Sequence, residues 1–443
     1  MTLSLPIPRR KCEGYATSWG SATLPIWSHT WRHAPRSSID SPSTRGCASS
    51  AENSWPASTQ SRADLGMAEM TDGAPATVAA TDAWPPPLRV RRMPAKDPIV
   101  RRLWRRLQGD GAVGTPFLTY EWCAALADVP ESCPGFEVLV ACRENEPVGL
   151  FPVEWIRADG RPALVGPAGW RWLAPDHMDA VAPASERPAV ARALARHLRR
   201  SRDWDVADFQ GLDAEGALAS ALRNELVPPH FVVAVRKDPS PVVVMGPRSD
   251  QELLPSRNLR QQVRRGLRVA ERHGGGLSVV SDPETLPGLL EVMMRLHNAR
   301  FGEASEVFAT PARRRFHLLA ARRMAAVGAA RVYHLRSADG ADAGLLYAFA
   351  HGPRLYYYSM GIAPDQAQSP GRTLLGQAVL HGAAEGFEEF DLLRGDHEYK
   401  RRFAHGERMD VTVRALRLTP RALAFSTPVL LRWLARRPRR SCR

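Results

Sequence analysis

Lysine is scarce in this sequence. Only Lys11, Lys96, Lys237 and Lys400 occur, although Lys and Arg together number 60 against 46 acidic residues. The positive charge is therefore arginine, and with abundant Ala, Gly and Pro it reads as the signature of GC-rich coding. The formal charge of +14 is thus discounted as evidence for nucleic-acid binding. It is also unevenly placed, since nine arginines and no acidic residue lie between Val411 and the end. Cysteines are few and scattered (12, 47, 123, 133, 142, 442), which excludes a disulfide scaffold. No run of 18 apolar residues exists, which argues against a membrane-spanning helix. The first thirty residues are cut by Pro6, Pro8, Arg9, Arg10 and Lys11 and lack the apolar centre of a signal peptide. The expectation is a cytoplasmic protein.

Several catalytic signatures are missing too. Without Cys-x-x-Cys, His-Glu-x-x-His or a Walker loop, neither zinc nor nucleotide triphosphate chemistry is indicated, and no metal is expected. His273-Gly-Gly-Gly276 has no Gly-x-Ser-x-Gly to serve. Gly109-x-Gly111-x-x-Gly114 follows a helical Leu103-Trp-Arg-Arg-Leu stretch rather than a strand, so it is not a dinucleotide fingerprint.

What is present is an α/β pattern that occurs twice. Residues 1–88 are aperiodic, rich in Ser, Pro and isolated Trp, and are expected to be a disordered or non-native N-terminal extension. Beyond them, β-rich Phe136–Cys142 and Val148–Val153 read as a hairpin. A helix is expected over Pro188–Arg200 and a strand over Asp205–Gln210. The same order returns with strands at Ala330–Leu335, Gly344–Ala350 and Arg354–Met360, a helix at Arg372–Gly386 and a strand at Phe390–Leu393. Ala174-Pro175-Asp176 is echoed by Ala363-Pro364-Asp365, and Asp208–Asp213 by Asp391–Asp396. These echoes indicate a duplicated mixed-sheet domain: a first copy at 89–240, a basic helical linker at 241–275, a second copy at 276–418 and an Arg-rich tail at 419–443. Leu423–Leu434 with its flanking arginines could lie on an anionic membrane surface.

Chemistry concentrates between Tyr356 and Phe403. A strand leads through Ser369-Pro370-Gly371-Arg372 into a helix, whose first backbone N–H groups suit a pyrophosphate. The following strand ends in Arg394-Gly395-Asp396-His397-Glu398-Tyr399-Lys400, just where α/β folds place ligands.

Tyr-Tyr-Tyr-x-x-Gly, then Pro-Gly-x-x-Leu-Leu, then Phe-Asp-Leu-Leu-Arg-Gly-Asp-x-x-Tyr-Lys resembles the CelD-like acetyltransferase domain of the GNAT superfamily. That branch has two tandem GNAT folds and also contains the Fem-type peptidyltransferases. Leu296–Gly302 and Arg257–Glu271 share the resemblance, which is distinctive over about 255–405. It implies an N-acyltransferase moving an acyl group, most simply acetyl, from an acyl-CoA co-substrate to an amine, with no permanently bound cofactor. The acceptor would be an amino sugar, a nucleotide-linked sugar or another small amine of envelope or exopolysaccharide synthesis.

The resemblance also implies roles. Asp396, or Glu398, would be the base and Tyr399 the proton donor to the leaving thiolate. Backbone groups of Tyr358 to Met360 would meet the oxyanion, and Pro370, Gly371, Arg372 and Thr373 the coenzyme A pyrophosphate. His297, Arg300, Arg394 and Lys400 would contact substrate. Independently of the resemblance, Arg257, Arg260, Arg264 and Arg268 recur at helical spacing on one face, either a solvated face or a cradle for a phosphate-bearing substrate. Two alternatives stay open at this point. One is a Fem-type transferase drawing on aminoacyl-tRNA, and the other a non-catalytic binding protein in polysaccharide assembly.

Overall fold

The computed structural model describes residues 87–423 apart from 158, 160, 273, 303–306, 365–369, 396 and 421. The first half begins with β1 (Arg89–Pro94) and α1 (Pro98–Gly109). Asp97 caps α1 by accepting from the Ile99 N–H, Pro98 opens it, and Val100, Leu103, Trp104 and Leu107 form its buried stripe. After a 3₁₀ turn at Pro116–Leu118 come α2 (Tyr120–Ala127), β2 (Phe136–Arg143), β3 (Glu146–Ile156), β4 (Leu164–Pro167), α3 (Arg187–Arg200), β5 (Val206–Asp213), α4 (Ala217–Glu225) and β6 (Phe231–Val244).

The second half is introduced by the short α5 (Asp250–Leu253) and by α6 (Arg257–Glu271), which have no counterpart in the first. The order then repeats: β7 (Gly276–Val280), α7 (Leu286–Phe301), α8 (Pro311–Ala325), β8 (Ala330–Arg336), β9 (Asp342–His351), β10 (Arg354–Ile362), α9 (Pro370–Ala384), β11 (Glu389–Asp391), α10 (Glu398–Arg401) and β12 (Gly406–Arg417). Each half thus reads β-α-α-β-β-β-α-β-α-β, and the duplication expected from the sequence echoes holds element by element.

The twelve strands among the described residues form one sheet in the order β1-β2-β3-β4-β5-β12-β6-β11-β10-β9-β8-β7. Pairing is antiparallel except for β4 with β5 and β10 with β11, the matching pair in each half. The closing strands are exchanged. β12 of the second half lies beside β5 of the first, and β6 of the first lies beside β11 of the second. Between them β6 and β12 pair from Phe231↔Arg417 to Val242↔Gly406. The result is a mixed α/β fold of two halves with matching element order that meet where β6 pairs with β12.

This exchange moves the expected boundaries. The break placed at 240 falls inside β6, and the supposed linker 241–275 contains α6, which packs on α9. The α6–α9 contact is close because it runs through glycine: a Cβ on Gly266 would sit 2.0 Å from Thr373 Oγ1. The halves also share a core. Trp122 of α2 meets Phe316 of α8, Phe349 of β9 and Tyr358 of β10 edge-on, at ring separations of 4.8, 5.4 and 5.7 Å. The N-terminal extension before 87 and the tail beyond 423 lie outside the described residues.

Candidate active site

A parallel pair that splays apart leaves a slot in the sheet, and the two halves treat that slot differently. In the first half β4 stops at Pro167 after pairing with β5 at only two positions. The chain then folds back into the gap. Leu150 and Val181 exchange both backbone hydrogen bonds at 2.9 Å, Met178 N–H donates to the Gly211 carbonyl at 2.8 Å, and Asp213 N–H donates to the Met178 carbonyl at 3.0 Å. The first half has closed its slot with its own backbone.

In the second half β10 and β11 pair only from Arg354↔Glu389 to Tyr356↔Asp391. Leu392 stays with β6, donating to the Pro241 carbonyl, while β10 continues alone on that side to Ile362. Among the described residues no backbone bridge spans this gap. Opposite β9 the register of β10 slips between Tyr357 and Ser359, so Tyr358 is the extra residue of a β-bulge. Bulges re-aim backbone groups and recur beside active sites. This is the strand to which the resemblance assigns the oxyanion donors.

The floor of the slot is the turn after β11, and charged side chains pin its backbone. Leu393 N–H donates to Asp391 Oδ1, and Arg394 N–H to Asp176 Oδ2, both at 2.8 Å. Lys400 Nζ donates to the carbonyls of Leu393 and Arg394 at 3.0 and 2.9 Å. Leu393 is held at φ +58°, an uncommon conformation for a side-chain-bearing residue, which such bonds sustain. The Arg394 side chain pairs with Asp176 and also donates to the Pro175 carbonyl. Below them His177 lies with Nε2 2.9 Å from Asp391 Oδ2 and Nδ1 2.9 Å from Asp410 Oδ1. Burial opposes a charge on this ring, but the two carboxylates outweigh it and push it up to about 10.

These contacts revise two expectations. Arg394 and Lys400 do not reach outward to substrate: Lys400 is buried and Arg394 half-buried, both engaged in the turn that shapes the site. Burial pushes the Lys400 amine down to about 8, against the pull of Asp176 and Asp391. Glu398 is also unsuited to the role of base. It is an exposed carboxylate paired with Arg402 at 2.5 Å, and that bond holds it below the usual carboxylate range. Asp396 lies outside the described residues.

The remaining candidates divide by position. Tyr358 buries its ring in the shared core and donates from its hydroxyl to the Leu173 carbonyl at 3.2 Å, so only its backbone belongs to the slot. Met360 accepts from His297 through its carbonyl oxygen. Tyr399 is 40 % exposed, its hydroxyl 3.4 Å from that of Tyr357, and burial pushes both phenols up. His297 of α7 and Tyr399 of α10 both reach β10, at Met360 and Tyr357.

Pro370, Gly371, Arg372 and Thr373 do open α9, but Thr373 is buried against Gly266 and Arg372 donates to Gln262 Oε1 at 2.7 Å. Arg264 and Arg268 stand apart. At about 100° per residue, Arg264 is about 200° round α6 from Gln262, and Arg264 pairs with Asp250 instead. The arginine face of α6 looks to solvent, away from the start of α9.

Sequence reasoning missed Asp176, His177 and Asp410. The echo of Ala174-Pro175-Asp176 in the second half was the available signal, because it marks the loop after the matching strand in each copy.

Residues 257–401, from α6 to α10, match the Acetyltransferase (GNAT) domain family. No curated protein matches the chain in sequence. Among solved structures it is similar to FemX, with TM-score 0.45 and 11 % identity over 65 % of this chain and 90 % of that one. It is also similar to L-PGS from Bacillus licheniformis, with TM-score 0.47 and 14 % identity over 77 % and 98 %. A tandem GNAT protein from the clavulanic acid biosynthesis pathway gives TM-score 0.40 and 16 % identity over 74 % and 98 %. No helix among the described residues is long and apolar enough to cross a membrane. The second half of the chain thus carries a match to a GNAT acetyltransferase domain, which supports a transferase activity.

Proposed function

We propose that the protein is an N-acyltransferase that works from its second half, moving an acyl group from acyl-CoA to an amine. The observation that carries this reading is the contrast between the slots. The first is occupied by residues 178–181, whereas the second is bounded by a bulged strand, a pinned turn and the start of α9. The thioester would lie along the free edge of β10, its carbonyl oxygen toward backbone N–H groups near Tyr358. The adenosine pyrophosphate would meet the first N–H groups of α9. The acceptor is a small amine, either an amino sugar or a nucleotide-linked sugar in envelope or exopolysaccharide synthesis. CelD-like specificity belongs to this same proposal.

The test is calorimetric titration of coenzyme A and of acetyl-CoA into the full chain. Both should bind, and Arg372→Ala should weaken both, since a charge-assisted contact to phosphate is worth about 1.5–3 kcal/mol. Tight binding of aminoacyl-tRNA with no response to coenzyme A would overturn the reading in favour of a Fem-type donor. Failure of both ligands to bind would favour a non-catalytic role.

A further inference from the structure

The loop that follows β4 in the first half touches both walls of the second slot within five residues. At one end the Leu173 carbonyl accepts from the Tyr358 hydroxyl at 3.2 Å, and Tyr358 is the extra residue of the bulge in β10. At the other, the Pro175 carbonyl and the Asp176 carboxylate hold Arg394 in the turn after β11. His177 Nε2 then lies 2.9 Å from Asp391 Oδ2, on β11 itself. The strands β10 and β11 pair only as far as Tyr356↔Asp391, and beyond that point one short stretch of backbone ties them both. The stretch is itself held firmly. Leu173 N–H donates to the Gly169 carbonyl, and the buried Thr115 hydroxyl donates to the Asp176 carbonyl, each at 3.0 Å. Ala174 and His177 stand at φ +47° and +56°, which side-chain-bearing residues sustain only where their surroundings impose it.

We infer that residues 173–177 of the first half are a brace that fixes the separation of β10 and β11 in the second, and that Tyr358 is the positioning residue through which they hold the oxyanion-facing backbone of β10. The catalytic part of this inference rests on the acyltransferase reading; the brace does not. A bulge takes one residue out of the ladder, so β9 no longer sets the aim of the backbone at Tyr358. On its other side β10 has already parted from β11. The Tyr358 side chain supplies the missing constraint. Its ring lies 6.0 and 5.7 Å from those of Phe117 and Trp122 in the first half, and its hydroxyl ends on a first-half carbonyl. Donors to an oxyanion work by being fixed beforehand, and a misplacement of about 1 Å can cost about 10² in rate. The closed first slot thereby gains a use. Residues 178–181, which fill it, continue directly from the brace and anchor it in the sheet. A half whose own slot is filled sets the geometry of the other's.

The experiment uses the full chain and reads amide hydrogen exchange by mass spectrometry, which needs neither ligand nor turnover. In Tyr358→Phe the peptide covering β10 should exchange about 2–10-fold faster, as expected for one lost hydrogen bond, with β2 unchanged. Thr115→Val removes a bond made wholly inside the first half and should speed the same β10 peptide. Parent-like exchange of β10 in Tyr358→Phe overturns the inference. Faster exchange there but not in Thr115→Val overturns the brace, because the Tyr358 bond would then act without the loop behind it. In parallel, thiol release from acetyl-CoA is followed with glucosamine as the probe acceptor. Tyr358→Phe should lower kcat about 10–10²-fold, with KM for acetyl-CoA and coenzyme A affinity at parent values. Its melting temperature should fall by a few degrees at most. A hydroxyl that served stability alone would leave kcat of the folded enzyme unchanged, which overturns the positioning role. Absence of coenzyme A binding in the parent protein sinks the acyltransferase reading, and the exchange measurement then decides the brace by itself.

Discussion

His177 of the first half stands between Asp391 and Asp410 of the second, 2.9 Å from a carboxylate oxygen on either side. With both ring nitrogens facing acceptors, the imidazole is held as the cation. Its pKa in the fold, about 10, exceeds the ordinary value of about 6.5. A raised pKa contributes stability in full below the unfolded value and loses it as pH climbs through the folded one. The melting temperature should therefore fall between about pH 7 and pH 10. His177→Gln should be less stable at pH 7 and show a shallower alkaline decline. A parallel decline in parent and variant would show that another group sets it.

Asp176 accepts from both the backbone and the side chain of Arg394 across the junction of the halves. Removing one partner of a buried ion pair leaves an uncompensated charge, at a cost of about 3–5 kcal/mol. Asp176→Ala should lower stability by that order in denaturant melts. It should also lower turnover, because the turn that floors the second slot loses an anchor. Asp250→Ala, which removes an exposed partner of Arg264, should leave melting almost unchanged.

The contact between α6 and α9 has no room for a methyl group at Gly266. Gly266→Ala should force the helices apart and destabilise by about 1–3 kcal/mol, the usual range for overpacking. Thr373→Ala in the same chain should recover part of that loss, since Thr373 supplies the clashing atoms. A Gly266→Ala protein as stable as the parent would mean that α6 is not seated on α9.

How far the sequence could be read follows from the range of its signals. β2, β3, β8 and β9 are apolar, buried runs joined pairwise by short turns, and α3 shows a helical stripe, so their pattern is self-contained. β6 and β12 carry no such mark. Their pairing joins residues far apart in sequence, and Pro239 and Pro241 interrupt β6. The exchange of strands, and with it the true boundary between halves, is a long-range fact. The same holds at the site. Arg394, Tyr399 and Lys400 stood out as a polar cluster, but their roles depend on Asp176 and His177, which topology alone brings beneath them. A lysine in a run of basic residues looks solvated. The one at 400 is buried because two strand-end carbonyls need a donor.

Tyr399 and Glu398 are adjacent in sequence yet should behave oppositely. Tyr399 places its hydroxyl 3.4 Å from that of Tyr357 at the mouth of the second slot, and a phenol, ordinarily titrating at about 10 and pushed up here, is protonated at neutral pH. That is the state a donor to a leaving thiolate requires. Glu398 points to Arg402 in solvent, and its lowered pKa makes it a poor proton acceptor. Tyr399→Phe should therefore reduce thiol release by about 10²–10⁴ with little change in melting temperature, the side chain being 40 % exposed. Coenzyme A affinity should hold, because the lost hydroxyl meets the sulfur only as the bond breaks. Glu398→Gln should retain parent turnover across the pH range. If Glu398→Gln were the damaging change and Tyr399→Phe the silent one, proton transfer would have to be reassigned to the other side of α10.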